Sequence, residues 1–243
     1  MSIINRREFV TTAGSAVALS LLPRAAPTAT QRARATLTLL FQGDSITDAG
    51  RNRSAAAPNQ ADALGLGYPL RVASTLLGQH PERELHCFNR GVSGNTVPDL
   101  EGRWQTDTLD LKPDVLSILI GVNDYWHTLN GSYHGTVADY ETGYAALLER
   151  TTAALPAVRL VVLEPFVLRC GAVTDAWFPE FDARRAAAQR VAARAGASFL
   201  ALQGMFDRLS RRAPPAYWAA DGVHPTVAGH GAIAELWLKT VNV

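Results

Sequence analysis

Five short apolar runs, set apart by segments of helical periodicity, constrain this chain more than any other feature. The runs are TLTLLF (36–41), LHCFNR (85–90), VLSILI (115–120), LVVLEP (160–165) and SFLAL (198–202). The second alternates apolar and polar residues; the others are nearly continuous, as strands covered on both faces are. The helix-period segments are YPLRVASTLLGQ from Tyr68, VPDLEGRWQTDTL from Val97, VADYETGYAALLERTTAAL from Val137, FDARRAAAQRVAARAG from Phe181 and PTVAGHGAIAELWLKTV from Pro225. Pro98 and Pro225 suit first-turn positions, where a missing N–H costs nothing. Gly196 fits just past the end of the fourth segment.

Strand and helix alternating at this spacing predict an α/β fold: a three-layer α/β/α sandwich on a five-stranded parallel, flavodoxin-like sheet with right-handed crossovers. The expected organisation is one domain over residues 36–243, with no internal repeat and no linker tract. At 47% hydrophobic residues the chain can bury one sizeable core. Ligands of such sheets bind beyond the carboxyl ends of the strands. Connections at 48–67, 121–136 and 166–180 begin there, and a further one spans 203–224.

Residues 1–35 read differently. Arg6-Arg7 precede Phe9, the weakly apolar run TTAGSAVALSLL and the small-residue exit PRAAPTATQRARA. That order is an export signal, and the arginine pair points to the twin-arginine route, hence to a periplasmic or extracellular protein. Cleavage after Ala29 and after Ala35 are both compatible with it. The apolar run is too short to span a bilayer, and no later segment qualifies. The leader holds five Arg against one acid, Glu8, so with the chain at +1 the remainder carries −3. No basic patch is left for nucleic acid. Two cysteines, Cys87 and Cys170, make no disulfide framework, and Cys87 lies in a predicted strand.

Polar clusters follow the predicted strands. GDSIT, with Ser45, comes after the first, GVSGNT, with Gly91 and Asn95, after the second, and GVNDYW, with Asn123, Asp124 and Trp126, after the third. DGVHP, with Asp221 and His224, precedes the last helical segment. Each cluster alone has a plain structural use, such as a cap at Asp44 or Ser45 or an Asx turn at Asn123. Together they hold what acyl transfer needs. Ser45 is a nucleophile wanting an adjacent base, His224 is that base, and Asp221 orients the imidazole. The Ser45 and Gly91 N–H groups and the Asn123 amide are expected to be the donors for a developing oxyanion. Asp44 reads as a structural hydrogen-bonder.

These blocks resemble the SGNH branch of the GDSL hydrolases on Ser45, Gly91, Asn123 and His224, with Asp221 completing a triad. The first block reads GDSI instead of GDSL. GDSITDAGR, LGLGYP, NRGVSGNTVPDLEGRW, KPDVLSILIGVNDYW and DGVHPTVAGH look most like the bacterial acetylxylan esterases of that family. The resemblance spans residue 38 to the C-terminus. It implies a serine esterase that removes acetyl groups from xylan or xylo-oligosaccharides, with no cofactor and with a small acetylated carbohydrate or other short-chain ester as substrate. By similarity and position Trp126, Arg103, Trp104 and Trp218 are candidate substrate contacts, Tyr68 and Arg51 weaker ones. Homo-oligomerisation is left open.

Other classes fit less well. The remaining histidines form no metal-ligand spacing, GVSGN departs from the G-x-S-x-G elbow at Asn95, and GLGYPL is no dinucleotide fingerprint. The chief alternative within serine esterases is a thioesterase or lysophospholipase acting on longer acyl chains.

Overall fold

The computed structural model of the chain describes residues 36–243; the export signal read in residues 1–35 lies outside them. Strands β1 (Leu37–Gly43), β2 (Leu85–Asn89), β3 (Val115–Leu119), β4 (Arg159–Leu163) and β5 (Ser198–Leu200) form one sheet. Its order is β2-β1-β3-β4-β5 with every pairing parallel, so the chain is the α/β sandwich its sequence pattern implies.

The helices are α1 (Ser45–Asp48), α2 (Ala61–Leu64), α3 (Tyr68–Gln79), α4 (Val97–Trp104) and α5 (Val122–Leu129), followed by α6 (Val137–Ala154) and α7 (Glu180–Arg194). Then come α8 (Leu202–Leu209), α9 (Pro215–Trp218) and α10 (Val227–Thr240). Strand side chains alternate between two cores, as the period of two requires. Leu39 and Phe41 face α3, α8 and α10 through Tyr68, Val72, Phe206 and Trp237. Leu40 faces α4, α6 and α7 through Leu100, Trp104, Leu148 and Val191. Each fully buried indole finds an acceptor, Trp237 at Ser117 Oγ (3.0 Å), Trp104 at Thr151 Oγ1 (2.9 Å) and Trp177 at the Ala172 carbonyl (3.2 Å). No fully buried indole N–H is therefore left unpaired among the described residues. Both cysteines are free; Cys87 is in the core, where burial pushes its thiol up to about 12.

The sequence pattern and the structure differ at the short elements. α2, α5, α8 and α9 fall in stretches read chiefly as connections, and α1 in the GDSIT cluster, because one or two turns hold too few residues to show a period. The last helix begins at Val227 with Thr226 as its cap, not at Pro225, which pairs with Ala219 in an isolated antiparallel bridge. α4 continues as a wider π turn over Gln105–Leu109. At the end of β1 the close approach of β3 demands glycine: a Cβ on Gly43 would lie 2.2 Å from the Leu119 carbonyl oxygen, and φ is +154°.

Candidate active site

Ser45 is the first residue of α1, so its N–H has no helical acceptor, and it has none elsewhere among the described residues. Asp44 caps the helix, its Oδ1 accepting the Ile46 N–H at 2.9 Å. Ser45 Oγ lies 2.8 Å from His224 Nε2, and His224 Nδ1 lies 2.6 Å from Asp221 Oδ2. The other carboxylate oxygen of Asp221 accepts the Val223 and His224 N–H groups at 2.9 and 2.7 Å. Burial pushes the Asp221 carboxyl up, but the His224 ring and the two backbone donors outweigh it and hold it below its ordinary value. Asp221 is therefore ionised at neutral pH. That places the imidazole proton on Nδ1 and leaves Nε2 to accept from Ser45.

A loop after β4 clamps this acid from behind. Leu168 N–H donates to the Gly222 carbonyl at 2.7 Å and Ala172 N–H to the Asp221 carbonyl at 2.9 Å. The approach is close enough that a Cβ on Gly171 (φ +57°) would fall 2.5 Å from Asp221 Cα. The indole of Trp177 donates to the Ala172 carbonyl at 3.2 Å. Trp126 packs between Trp177 and the His224 imidazole, with ring centroids 5.7 and 5.9 Å away. Acid and base are thus held by one connected group.

Asn123 lies in the first turn of α5, and its Nδ2 donates to the Asn95 carbonyl at 3.1 Å, leaving the second amide hydrogen available. Gly91 does not take the role expected of it. Its N–H is given to Asn89 Oδ1 at 2.8 Å, its carbonyl accepts Arg51 Nε at 2.7 Å, and a Cβ there would lie 2.4 Å from the Asp48 nitrogen. Gly91 packs the end of β2 against α1. The glycine that lines the opening with Ser45 is Gly94, at φ +85°, whose N–H has no acceptor among the described residues. Asp48 anchors that turn by accepting Ser93 N–H and Oγ at 3.0 and 3.1 Å while paired with Arg53. Burial alone would raise its carboxyl; Arg53 and Ser93 together bring it below the usual range.

The opening holds about 320 Å³, and besides Ser45, Asn123 and His224 it is lined by Trp126, His127 and Asn130. Of the expected aromatic contacts only Trp126 is there. Trp104 is fully buried on the inner face of α4 with Val97 and Leu100, a core stripe at i, i+3 and i+7. Arg103 donates to Asn95 Oδ1, the Arg90 and Gly43 carbonyls and Asp107, so it ties β1 and β2 to α4. Trp218 is half-buried, donates to the Ala213 carbonyl and stands edge-on to Tyr217; it does not line the opening. Tyr68 is buried, its hydroxyl 3.1 Å from Thr47 Oγ1, and Arg51 serves the Gly91 carbonyl. His127 and Asn130 were readable only as positions four and seven residues beyond Asn123.

Two acids lie buried next to the reactive positions. Burial pushes Asp44 up to about 7, aided by nearby Asp124, despite its bond from Ile46. Burial likewise pushes Asp124 up to about 6 against its 3.0 Å bond from Val97 N–H. One oxygen of each has no partner among the described residues. Among those residues no three His, Cys, Asp or Glu side chains gather as a metal site requires, and no helix is long and apolar enough to cross a membrane.

A serine hydroxyl at the end of the first strand, bonded to an imidazole that is itself paired with a carboxylate, is an arrangement suited to acyl transfer. The chain belongs to the GDSL-like lipase/acylhydrolase family, whose pattern matches residues 41–232, and it is an esterase. An acetylxylan esterase from Geobacillus stearothermophilus is 34% identical over 209 residues, 84% of this chain and 93% of that protein. The crystal structure of Axe2, an acetylxylan esterase from the same organism, superposes with a TM-score of 0.75 at 32% identity, covering 85% of this chain and 94% of its own. Catalytic mutants of that enzyme replace a serine or a histidine. A GDSL-like lipase from Parabacteroides merdae superposes with a TM-score of 0.82 at 45% identity over 84% of this chain and 94% of its own.

Proposed function

We propose that this esterase removes acetyl groups from xylan or xylo-oligosaccharides through Ser45, His224 and Asp221. His224 Nε2 takes the Ser45 proton as Oγ attacks the acetyl carbonyl. The oxyanion is met by the N–H groups of Ser45 and Gly94 and by Asn123 Nδ2, donors worth about 100- to 1000-fold in rate each. Collapse expels the sugar oxygen, which takes the proton back from His224 and leaves acetyl-Ser45. Water, activated by the same imidazole, attacks that ester, and acetate departs with Ser45 restored. Asp221 keeps the imidazole in one tautomer and offsets its charge when protonated.

The observation that carries this reading is the 2.8 Å contact of Ser45 Oγ with His224 Nε2 inside an opening that faces solvent. A long acyl chain calls for an enclosed apolar channel, whereas Ser45 sits in a shallow, open cleft edged by Trp126, His127 and Asn130. Similarity to acetylxylan esterases favours the same substrate. Export through the leader in residues 1–35 accords with a polymer met outside the cell. The test compares p-nitrophenyl acetate, butyrate and longer esters, with acetate release from acetylated xylan measured alongside. Acetyl preference with acetate release is expected; preference for long chains moves the assignment to lipid or thioester hydrolysis.

A further inference from the structure

We infer that the face of α5 bearing Asn123 and His127, continued by Asn130 at the helix's C-terminal end and flanked by Trp126, is the subsite for the sugar that carries the acetyl group, and that it selects neutral, hydroxyl-rich alcohols. This rests on the deacetylase reading above and adds where the rest of the substrate lies. An acetyl group has two carbons, so nearly all of the substrate is leaving group. The leaving oxygen collects its proton from His224 Nε2, which puts the sugar beside that imidazole, where Trp126 stands with its ring centroid 5.9 Å away.

From there α5 provides a track. Asn123 and His127 are spaced i and i+4 on one face of α5, and Asn130 caps the end of that helix. All three line the same opening as Ser45. Seven residues of α-helix rise about 10 Å, far enough to extend from the oxyanion donors past the acetyl group onto a sugar ring.

The far end of the track is held in place. Asn130 Oδ1 accepts Ser132 N–H at 3.0 Å and Ser132 Oγ at 2.6 Å. The His127 carbonyl takes Ser132 and Tyr133 N–H at 2.9 and 3.1 Å. A cap alone would explain the use of Oδ1. It leaves unexplained the Asn130 amide donors and the His127 ring, which have no partners among the described residues and line the opening. An indole offers a flat apolar surface, and an amide and an imidazole offer hydrogen-bonding groups. No Asp, Glu, Lys or Arg lines the opening among the described residues, so nothing there matches a charged alcohol.

The experiment measures kcat/KM on an acetylated xylo-oligosaccharide divided by kcat/KM on p-nitrophenyl acetate, for wild type, Asn130→Asp and His127→Ala. Asn130→Asp keeps an oxygen for Ser132 and removes the amide donors. His127→Ala removes a ring with no internal partner, so the fold is not at stake. Each variant is expected to lower the ratio about three- to tenfold, chiefly through the oligosaccharide KM, as the loss of one hydrogen bond does. A ratio that stays at the wild-type value in either variant overturns the subsite alone. Wild type that turns over p-nitrophenyl acetate but frees no acetate from the oligosaccharide overturns the deacetylase reading, and the subsite with it.

Discussion

The amide N–H of Ala172 donates to the carbonyl oxygen of Asp221 at 2.9 Å, so the acid beside His224 is fixed by a loop remote from it in sequence. The contact depends on Gly171, where a Cβ would meet Asp221 Cα at 2.5 Å. Gly171→Ala is expected to displace Asp221 and lower kcat by about tenfold to 100-fold, with KM little changed, since small misplacements of reacting groups cost rate. Steady-state kinetics normalised by active-site titration checks this. A full kcat per active site contradicts the clamp.

Asn123 and Gly91 separate chemistry from packing. Asn123→Ala is expected to lower kcat about 100- to 1000-fold and to leave KM close to wild type. Gly91→Ala forces a Cβ to within 2.4 Å of the Asp48 nitrogen, and such overpacking costs about 1–3 kcal/mol of stability. Thermal melts and kinetics on both variants decide the assignment. A Gly91→Ala protein with an unchanged melt and no activity would return the oxyanion role to Gly91.

Asp44 gives stability a pH dependence of definite sign. Its carboxyl is raised from 3.8 to about 7, mainly by burial. Between those values the folded chain holds a proton that the unfolded chain has released. Stability therefore falls as pH rises across that window, by about 1.4 kcal/mol per pH unit for a full proton. His230 works the opposite way: burial lowers it from 6.5 to about 4, so its contribution is lost as pH falls through that range. Comparing wild type with Asp44→Asn cancels the His230 part. Urea unfolding of both at several pH values should show Asp44→Asn gaining on wild type as pH rises. Parallel stability profiles contradict a protonated Asp44.

The sheet was legible because its strands are apolar runs long enough to stand out, and Ser45, His224 and Asp221 because their residue types and order leave few other uses. The glycine was not. GVSGNT offers two, and which N–H faces the opening depends on Asn89 taking the Gly91 hydrogen and on the positive φ of Gly94, neither written in the spacing. The misplacement of Trp104 was avoidable, since Val97, Leu100 and Trp104 repeat at core spacing. Arg103 could not have been placed from sequence, because its acceptors belong to residues 43, 90, 95 and 107, gathered only by the fold.

The most direct test of the account is turnover of p-nitrophenyl acetate by Ser45→Ala. The hydroxyl's hydrogen-bond partner is His224, so its removal should leave the fold intact. The account predicts a protein that melts like wild type with kcat reduced by roughly 10⁴-fold or more, since such groups act as a unit. A folded Ser45→Ala protein whose kcat stays within about tenfold of wild type, a barrier change of only ~1.4 kcal/mol, would show that Ser45 is not the nucleophile.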